Sequence, residues 1–217
     1  DALPIWIDDG RVVRGHKVGL TSAVMQRQLG VDQPDYGHLM ADMFHLESLP
    51  IHISQFIAPR IEPEIAFVLN RSLTGPGITA ADAMNAVDYV LPALEIIDSR
   101  IADWKIGLID TVADNASSAG FVLGEARVSP ADIDVKGIDA KLTRNGELIA
   151  EGRSDAVLGN PVTAVAWLAR KVESFGVRLK KGDIVLPGSC TSAIDARAGD
   201  EFIADFTGLG SVRLSFE

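Results

Sequence analysis

Two carboxylates stand two positions apart in a stretch of sequence that otherwise has the composition of a buried β-strand. The stretch is RIEPEIAFVL, residues 60–69, and the two acids are Glu62 and Glu64. Since successive side chains of a strand point to opposite faces, residues i and i+2 share a face. The sequence therefore predicts two neighbouring negative charges on one face of a strand.

Three functions are compatible with this pair of carboxylates. The pair could form a solvent-facing strand edge, where charges discourage aggregation. It could act as a general acid and base, as in glycosidases. It could instead bind a hard cation such as Mg²⁺, which prefers oxygen ligands. A cation would keep both carboxylates ionised where burial would otherwise force one of them to hold a proton.

A third acidic side chain, Glu95, lies in the apolar run PALEIID, residues 92–98. A carboxylate in such a strand is costly unless it is paired or bound to a metal. The best predicted ligand set for a metal ion is therefore Glu62, Glu64 and Glu95. The histidines are scattered along the chain, which disfavours a zinc site.

Three further side chains could transfer protons. Lys17 lies in GHKVGLTS at a predicted strand end, and a partly buried lysine can act as an acid or a base near neutral pH. Asp35 and His38 lie in PDYGHL, where proline and glycine predict a loop. A solvated lysine and a turn-forming aspartate are the alternatives at these positions.

The segment LPGSCT, residues 186–191, places small residues and hydroxyl groups at the end of a predicted strand. Its backbone amides could bind a carboxylate, although a tight turn explains the composition as well. Cys190 is the single cysteine, so no intramolecular disulfide can form. Because no base is adjacent to it in sequence, we interpret Cys190 as an inert small side chain.

The elements that must position these groups are those of a mixed α+β chain. No domain boundary is visible within residues 1–217. We therefore expect these residues to form a single catalytic domain. Helical spacing and capping residues predict helices at 22–30, 80–88 and 160–176. Residues 31–44 are predicted to be a loop, and Pro92 to break the chain before a strand. Alternation and turn residues predict strands within residues 11–22, 60–69, 93–98, 120–124, 138–152, 182–190 and 199–217.

Composition excludes some classes of function. The 217 residues carry a formal net charge of −10, with a pI of about 4.8. Such an acidic chain repels phosphate backbones, so we expect no nucleic-acid partner. The sequence shows neither an apolar run long enough to span a membrane nor a signal peptide. A reducing cytoplasm suits the single cysteine, and we therefore predict a cytoplasmic enzyme.

Six segments, in this order along the chain, resemble the 2-keto-4-pentenoate hydratases, also called 2-hydroxypentadienoate hydratases, of the fumarylacetoacetate-hydrolase-like superfamily. The resemblance covers essentially the whole chain and implies the coiled, mixed β-sheet fold of that superfamily with a few flanking helices. Family members begin with additional helical residues, so we expect that residues preceding Asp1 are missing. The segments are GHKVGLTS, LGVDQPDYGHLMADMF, PRIEPEIAFVL, YVLPALEIIDSRIADW, DTVADNASSAG and GDIVLPGSCT.

The resemblance also implies roles for individual residues. It implies a Mg²⁺ or Mn²⁺ ion, and it places the metal ligands on the three glutamates already singled out. It places the catalytic lysine on Lys17 and the catalytic aspartate on Asp35. We further assign substrate binding to Ser189, Thr191 and Leu39.

The activity implied by the resemblance is hydration of a 2-hydroxy-2,4-dienoate to a 4-hydroxy-2-oxo acid, in meta-cleavage degradation of aromatic compounds or steroids. The related 4-oxalocrotonate decarboxylases share the ligand set, although LPGSCT looks more like the hydratases. An acylpyruvate hydrolase would need a His–Glu pair, and His16 has no Glu near it in sequence. A non-catalytic partner subunit is the remaining alternative.

The family's properties also suggest partners and leave the substrate's far end open. We expect a homo-oligomer and a possible association with a pathway aldolase or decarboxylase. A pentadienoate, a longer alkyl dienoate and a dicarboxylate all fit the predicted chemistry. A dicarboxylate would need a dedicated cation in the pocket, and the sequence alone identifies none.

Overall fold

A computed structural model of the protein describes residues 3–22, 26, 27 and 30–217. The helices with defined bounds are α1 (Leu3–Asp8), α2 (Ala80–Asn85), α3 (Leu108–Ala113) and α4 (Pro161–Glu173). The strands are β1 (Val13–Gly19), β2 (Asp35–Met40), β3 (Phe44–His45), β4 (Arg60–Leu69), β5 (Val87–Ile97), β6 (Ser118–Leu123), β7 (Asp139–Arg144), β8 (Glu147–Arg153), β9 (Ile184–Leu186), β10 (Ile194–Asp195), β11 (Glu201–Phe206) and β12 (Gly210–Ser215).

The strands form two sheets, which confirms the predicted mixed α+β class. The larger sheet has eight strands in the order β2-β1-β9-β4-β5-β6-β3, and β10 pairs with β4. Its β1–β9 and β3–β6 pairs are parallel, whereas β1–β2, β4–β5 and β5–β6 are antiparallel. The smaller, antiparallel sheet has the order β12-β11-β7-β8. None of the described helices is both long and apolar enough to cross a bilayer.

The central strand β4 has the bounds that its sequence predicts, and its two faces differ. Ile61, Ile65 and Phe67 enter the main hydrophobic core together with the apolar face of α4. The opposite face carries Glu62 and Glu64 and then continues into a smaller apolar cluster. The main core thus packs against one face of β4, while the opposite face carries the two carboxylates.

Several local predictions are confirmed. Asn145 and Gly146 join β7 to β8 with φ values of 53° and 82°, as a two-residue hairpin turn requires. The side chain of Asn160 accepts a hydrogen bond of 3.0 Å from the amide of Val162 and caps α4, with Pro161 as its first residue. The helix predicted at 22–30 lies largely outside the described residues.

The predicted break at Pro92 is wrong, because β5 runs through this residue. Pro92 pairs with Ile65 of β4, and its carbonyl accepts a hydrogen bond of 2.9 Å from Gly124. Its backbone polar groups therefore face the β6 side, where that strand ends at Leu123. The missing N–H costs no ladder bond at this point, so the sheet tolerates the proline.

The loop predicted at 31–44 is also wrong in its central part, which forms β2 and pairs with β1. Gly37, which suggested a turn, lies inside the strand. A Cβ atom at this position would lie 2.3 Å from the carbonyl oxygen of Asn115, so the glycine permits a close backbone approach. Asp35 and His38 are consequently strand residues with defined faces.

Candidate metal centre and active site

Three carboxylates, two of them fully buried, converge on the acidic face of the central strands. Glu62 of β4 lies directly opposite Glu95 of β5, and Glu64 follows two residues along the same face. One carboxylate oxygen from each of the three lies within 4.8 Å of the others. Glu64 and Glu95 are fully buried, and Glu62 is partly buried. The three predicted ligands are therefore brought together by strand register.

This clustering changes the acidity of all three groups. Burial, followed by the nearby charges of Glu95 and Asp35, raises the pKa of Glu62 to about 7, although Lys17 opposes the shift. Burial and the two neighbouring carboxylates raise the pKa of Glu64 well above its ordinary value. Burial also raises the pKa of Glu95, against the opposing effect of Lys17. Three ionised carboxylates at this spacing repel one another unless a cation joins them.

The residues present fit a divalent cation. Among the described residues, no hydrogen bond of standard geometry reaches Glu64 Oε1 or either carboxylate oxygen of Glu95. Such buried, unsatisfied acceptors are costly in a folded protein, and coordination would satisfy them. Because all three ligand groups are carboxylates, the donor set suits Mg²⁺ or Mn²⁺ better than zinc.

Lys17 enters the site from β1, two strands away from β4. Its Nζ lies 3.5 Å from Glu95 Oε2 and donates a hydrogen bond of 3.0 Å to the carbonyl oxygen of Ala116. Burial alone would lower the pKa of Lys17, but Glu95 and then Asp35 raise it above its ordinary value. The neighbouring carboxylates therefore favour the protonated form of Lys17.

Asp35 is oriented by a residue that the sequence did not single out. The hydroxyl of Thr111, on α3, donates a hydrogen bond of 2.7 Å to Asp35 Oδ2, while Oδ1 is buried without a partner among the described residues. Gly19 leaves room for this arrangement. A Cβ atom at Gly19 would lie 2.2 Å from Asp35 Oδ1 and 3.2 Å from Lys17 Nζ.

The carbonyl that binds Lys17 belongs to an unusual left-handed segment. Asn115, Ala116 and Ser117 have φ values of 56°, 52° and 54°, a conformation that L-residues rarely adopt in succession. The Asn115 side chain offsets this strain by exchanging two hydrogen bonds with the backbone of His38, of 2.7 and 2.9 Å. Strained backbone held by specific hydrogen bonds is typical of functional sites.

The turn after β9 closes another side of the site. The amide of Gly188 donates a hydrogen bond of 2.8 Å to Glu64 Oε2, and Gly188 has a φ of 120° that favours glycine. Ser189 Oγ accepts a bond of 3.2 Å from the amide of Thr191. Burial raises the pKa of the Cys190 thiol to about 12, which agrees with its interpretation as inert.

Several of these groups line one cavity of about 250 Å³, although Glu64 and Glu95 are not among its lining residues. Lys17, Asp35, Glu62, Ser189 and Thr191 are among its lining residues, so most of the predicted site shares a single space. Sequence reasoning missed several other members. The lining residues that it did not single out include Gly19, Arg60, Trp104, Ile106 and Thr111.

Leu39, predicted to bind substrate, lies elsewhere. It is fully buried in the smaller apolar cluster with Met40 and Leu186, and it is not among the residues that line the cavity. Leu20 and Ile97 are apolar side chains that do line it. Leu39 is four residues from Asp35 along β2, and the structure gives it a packing role in this cluster.

His16, the candidate base of a hydrolase, faces away from the carboxylates. It follows Gly15 and precedes Lys17 on β1, so its ring points to the opposite face of the sheet. There its Nε2 lies 3.5 Å from Asp183 Oδ2, and its ring packs edge-on against His38 with centroids 5.0 Å apart. His38 lines a separate cavity of about 600 Å³ behind the sheet.

Known families and proteins resemble this chain over most of its length. The sequence model of the fumarylacetoacetate (FAA) hydrolase C-terminal family matches residues 15–217. A 2-keto-4-pentenoate hydratase from Paraburkholderia phymatum is 47% identical over 208 residues, which cover 96% of this chain and 79% of that protein. A 2-oxo-hept-4-ene-1,7-dioate hydratase from Escherichia coli is 43% identical over 216 residues, covering 97% of this chain and 81% of that protein.

A solved structure with the same fold is that of 4-oxalocrotonate decarboxylase from Pseudomonas putida G7, complexed with magnesium and adipate. It superposes with a TM-score of 0.96 at 35% sequence identity, over 99% of this chain and 82% of that one. The resemblance therefore extends to hydratases in sequence and to a decarboxylase in fold.

Proposed function

The chain belongs to the fumarylacetoacetate hydrolase C-terminal family, and from that membership we propose that it is a divalent-metal-dependent hydro-lyase. It adds water to a 2-hydroxy-2,4-dienoate, either the pentadienoate or a longer analogue, and releases a 4-hydroxy-2-oxo acid. The observation that carries this proposal is the convergence of Glu62, Glu64 and Glu95 with Lys17, next to a cavity that Glu62 and Lys17 line. The hydratase names of relatives that cover most of the chain support it.

Each group has a role in this reaction. Glu62, Glu64 and Glu95 would hold the cation, which supplies Lewis-acid polarisation of a chelating 2-oxo acid. Lys17 delivers a proton to C5 of the dienol and is restored by the proton that the C2 hydroxyl releases. Asp35 Oδ1, which has no hydrogen-bond partner among the described residues, accepts a proton from the water that adds at C4 and passes it to C3. Thr111 positions this carboxylate through the other oxygen.

The hydroxyl groups of the turn after β9 would orient the substrate. Ser189 and Thr191 line the same cavity as Lys17 and lie beside Gly188, whose amide is bonded to Glu64. We propose that they bind the C1 carboxylate of a substrate next to the cation, in exchange for the hydrogen bonds that their hydroxyls donate to the carbonyl oxygens of Pro63 and Ser192.

The test is an absorbance assay with 2-hydroxypenta-2,4-dienoate. We expect the conjugated chromophore to disappear with Mg²⁺ present, to persist after chelation with EDTA, and to disappear again when Mg²⁺ is restored. Mass spectrometry should show a product heavier than the substrate by one water. Full activity in chelator would exclude the metal-dependent mechanism.

Decarboxylation of a 4-oxalocrotonate is the second candidate, because the decarboxylase from Pseudomonas putida G7 has the same fold at a TM-score of 0.96. The two reactions are separated by measuring CO₂ release from 4-oxalocrotonate alongside hydration of the dienoate. CO₂ release without hydration would favour the decarboxylase.

A hydrolase is disfavoured by the direction in which His16 points. The His–carboxylate pair that hydrolysis requires is present as His16 and Asp183, yet it lies on the opposite face of the sheet from the three glutamates. None of the described histidines, His16 included, lines the cavity that contains Lys17 and Glu62.

A further inference from the structure

The active cavity has a second polar end, built around Arg60. Arg60, Glu62 and Glu64 occupy alternate positions of β4 and so share one face of the sheet. Arg60 lines the same cavity as Glu62 and lies close enough to oppose the rise in the pKa of that carboxyl. Among the described residues that line this cavity, Arg60 and Lys17 are the cationic side chains.

These two cationic side chains differ in their contacts. Lys17 forms an ion pair with Glu95 and donates a hydrogen bond to the carbonyl of Ala116. Arg60 Nε donates a hydrogen bond of 2.9 Å to Asp195 Oδ1, and the side chain of Asp195 is exposed. No described residue is hydrogen-bonded to its two Nη groups, which form the edge of the guanidinium that binds carboxylates in a bidentate manner.

Trp104 completes this end of the cavity. The guanidinium carbon of Arg60 lies 4.2 Å from the centroid of the Trp104 ring, so the planar group is stacked and held in orientation. The indole Nε1–H of Trp104 is buried and has no hydrogen-bond partner among the described residues. A buried donor without an acceptor is costly, and an anion bound at this end of the cavity would satisfy it.

We propose that Arg60 and the indole N–H of Trp104 form a second anion site, which binds the distal carboxylate of a dicarboxylic substrate. The inference rests on the proposed function, which places the C1 and C2 end of the substrate at the three glutamates. Arg60 is then the cationic side chain that a dicarboxylate needs in the pocket. The preferred substrate class is accordingly a 2-hydroxydienedioate.

The two ends of the cavity follow one another along β4 and β5. The pair Arg60–Ile97 lies two positions from the pair Glu62–Glu95 in the register of these strands. Two residues of strand advance the Cα position by about 6.7 Å. The apolar residues Ile97 and Ile106 line the same cavity and suit the hydrocarbon between the two ends.

The direct test compares two ligands that differ only at the far end. 2-Oxoheptanedioate and 2-oxoheptanoate share the 2-oxo acid group and chain length, but the first ends in a carboxylate and the second in a methyl group. Binding of each to the Mg²⁺-loaded protein is measured by calorimetry. We expect the diacid to bind at least about tenfold more tightly, as a bidentate charged contact would give.

Substitutions then assign the preference to individual groups. Arg60→Met should remove the diacid preference while affinity for 2-oxoheptanoate stays within about twofold. Trp104→Phe keeps a ring for stacking but loses the N–H, so the preference should fall by about threefold. Arg11→Met is the matched control, since Arg11 also pairs with an aspartate, Asp42, and stacks on a tryptophan, Trp6, without lining the cavity.

The outcomes separate this inference from the proposed function. Equal affinity for the two ligands in the wild-type protein, or an equal loss for both in Arg60→Met, would overturn the anion site. Hydration of the pentadienoate without any diacid preference would leave the proposed function standing alone. A diacid preference that depends on Arg60, in a protein that hydrates neither dienoate, would support the site and reject the hydratase. If Arg60→Met does not fold, the ligand ratio in Trp104→Phe decides.

Discussion

Lys17 Nζ lies 3.5 Å from Glu95 Oε2, although the two residues are 78 positions apart and their strands are separated by β9 and β4. The pair connects the group proposed to deliver protons with one of the groups proposed to hold the cation. The charge of Lys17 also offsets part of the repulsion among the three carboxylates, as its opposing effect on the pKa values of Glu62 and Glu95 indicates. Removing either partner should therefore affect catalysis and stability in different ways.

Substitution Lys17→Met should leave Mg²⁺ binding largely intact and lower turnover at least about 100-fold, because proton transfer by a positioned side chain contributes this much. Calorimetry with Mg²⁺ and the dienoate absorbance assay measure the two effects separately. Lys141→Met removes a largely exposed lysine paired with Glu151 and serves as the control. A turnover near the wild-type value would remove Lys17 from the mechanism.

Substitution Glu62→Gln should have opposite effects with and without metal. Loss of one carboxylate should weaken Mg²⁺ binding by at least about tenfold, or 1.4 kcal/mol. In chelator the variant should melt at a higher temperature than the wild type, because one repelling, buried charge is gone. Melting curves with EDTA and with saturating Mg²⁺ test this reversal. The exposed Glu151→Gln is the control, and a lower melting temperature of Glu62→Gln in EDTA would contradict the prediction.

Thr111 should matter through the orientation of Asp35. Thr111→Val removes the hydroxyl that donates to Asp35 Oδ2 but keeps the shape of the side chain, whereas Thr111→Ser keeps the hydroxyl. We expect kcat to fall at least about tenfold in the valine variant, the loss expected from a misoriented catalytic group, and to recover in the serine variant. Mg²⁺ affinity should change in neither, and equal activity of the two variants would argue against a positioning role.

His38 should make folding stability depend on pH. Burial, and then the neighbouring His16, lowers the pKa of His38 to about 4, from an ordinary value of 6.5. Between these values the unfolded chain binds the proton and the folded protein does not, so the stabilisation is complete above about pH 6.5 and is lost as the pH falls toward 4. The loss could reach about 3 kcal/mol.

Urea unfolding at pH 7 and pH 4.5 measures this effect. His38→Phe should lose less stability over this interval than the wild type, because a side chain that cannot titrate replaces the imidazole. All other titrating groups are common to the two proteins, so the difference isolates His38. His52→Phe, which replaces an exposed imidazole, should keep the wild-type dependence. Equal dependence in all three proteins would show that His38 does not titrate in this way.

Much of the candidate site follows from local pattern and from a resemblance carried by six segments. The two-residue period of a strand places Glu62 and Glu64 on one face, and the cost of burying a lone carboxylate marks Glu95. The hairpin at Asn145-Gly146 and the capped helix α4 follow from residue types that act on their immediate neighbours. The same alternation would also have placed Arg60 on the face of Glu62.

The amino-acid sequence by itself determined the strand periods, the turns, the helix caps and the types of group available for chemistry, because each depends on neighbours a few residues away. Only the tertiary structure decided that Glu62 faces Glu95, that Thr111 holds Asp35, and that His16 points away from the carboxylates toward Asp183. It also turned a predicted loop into β2 and carried β5 through Pro92. These features depend on strand register and on contacts between distant segments, whose free energy appears only when the sheets assemble.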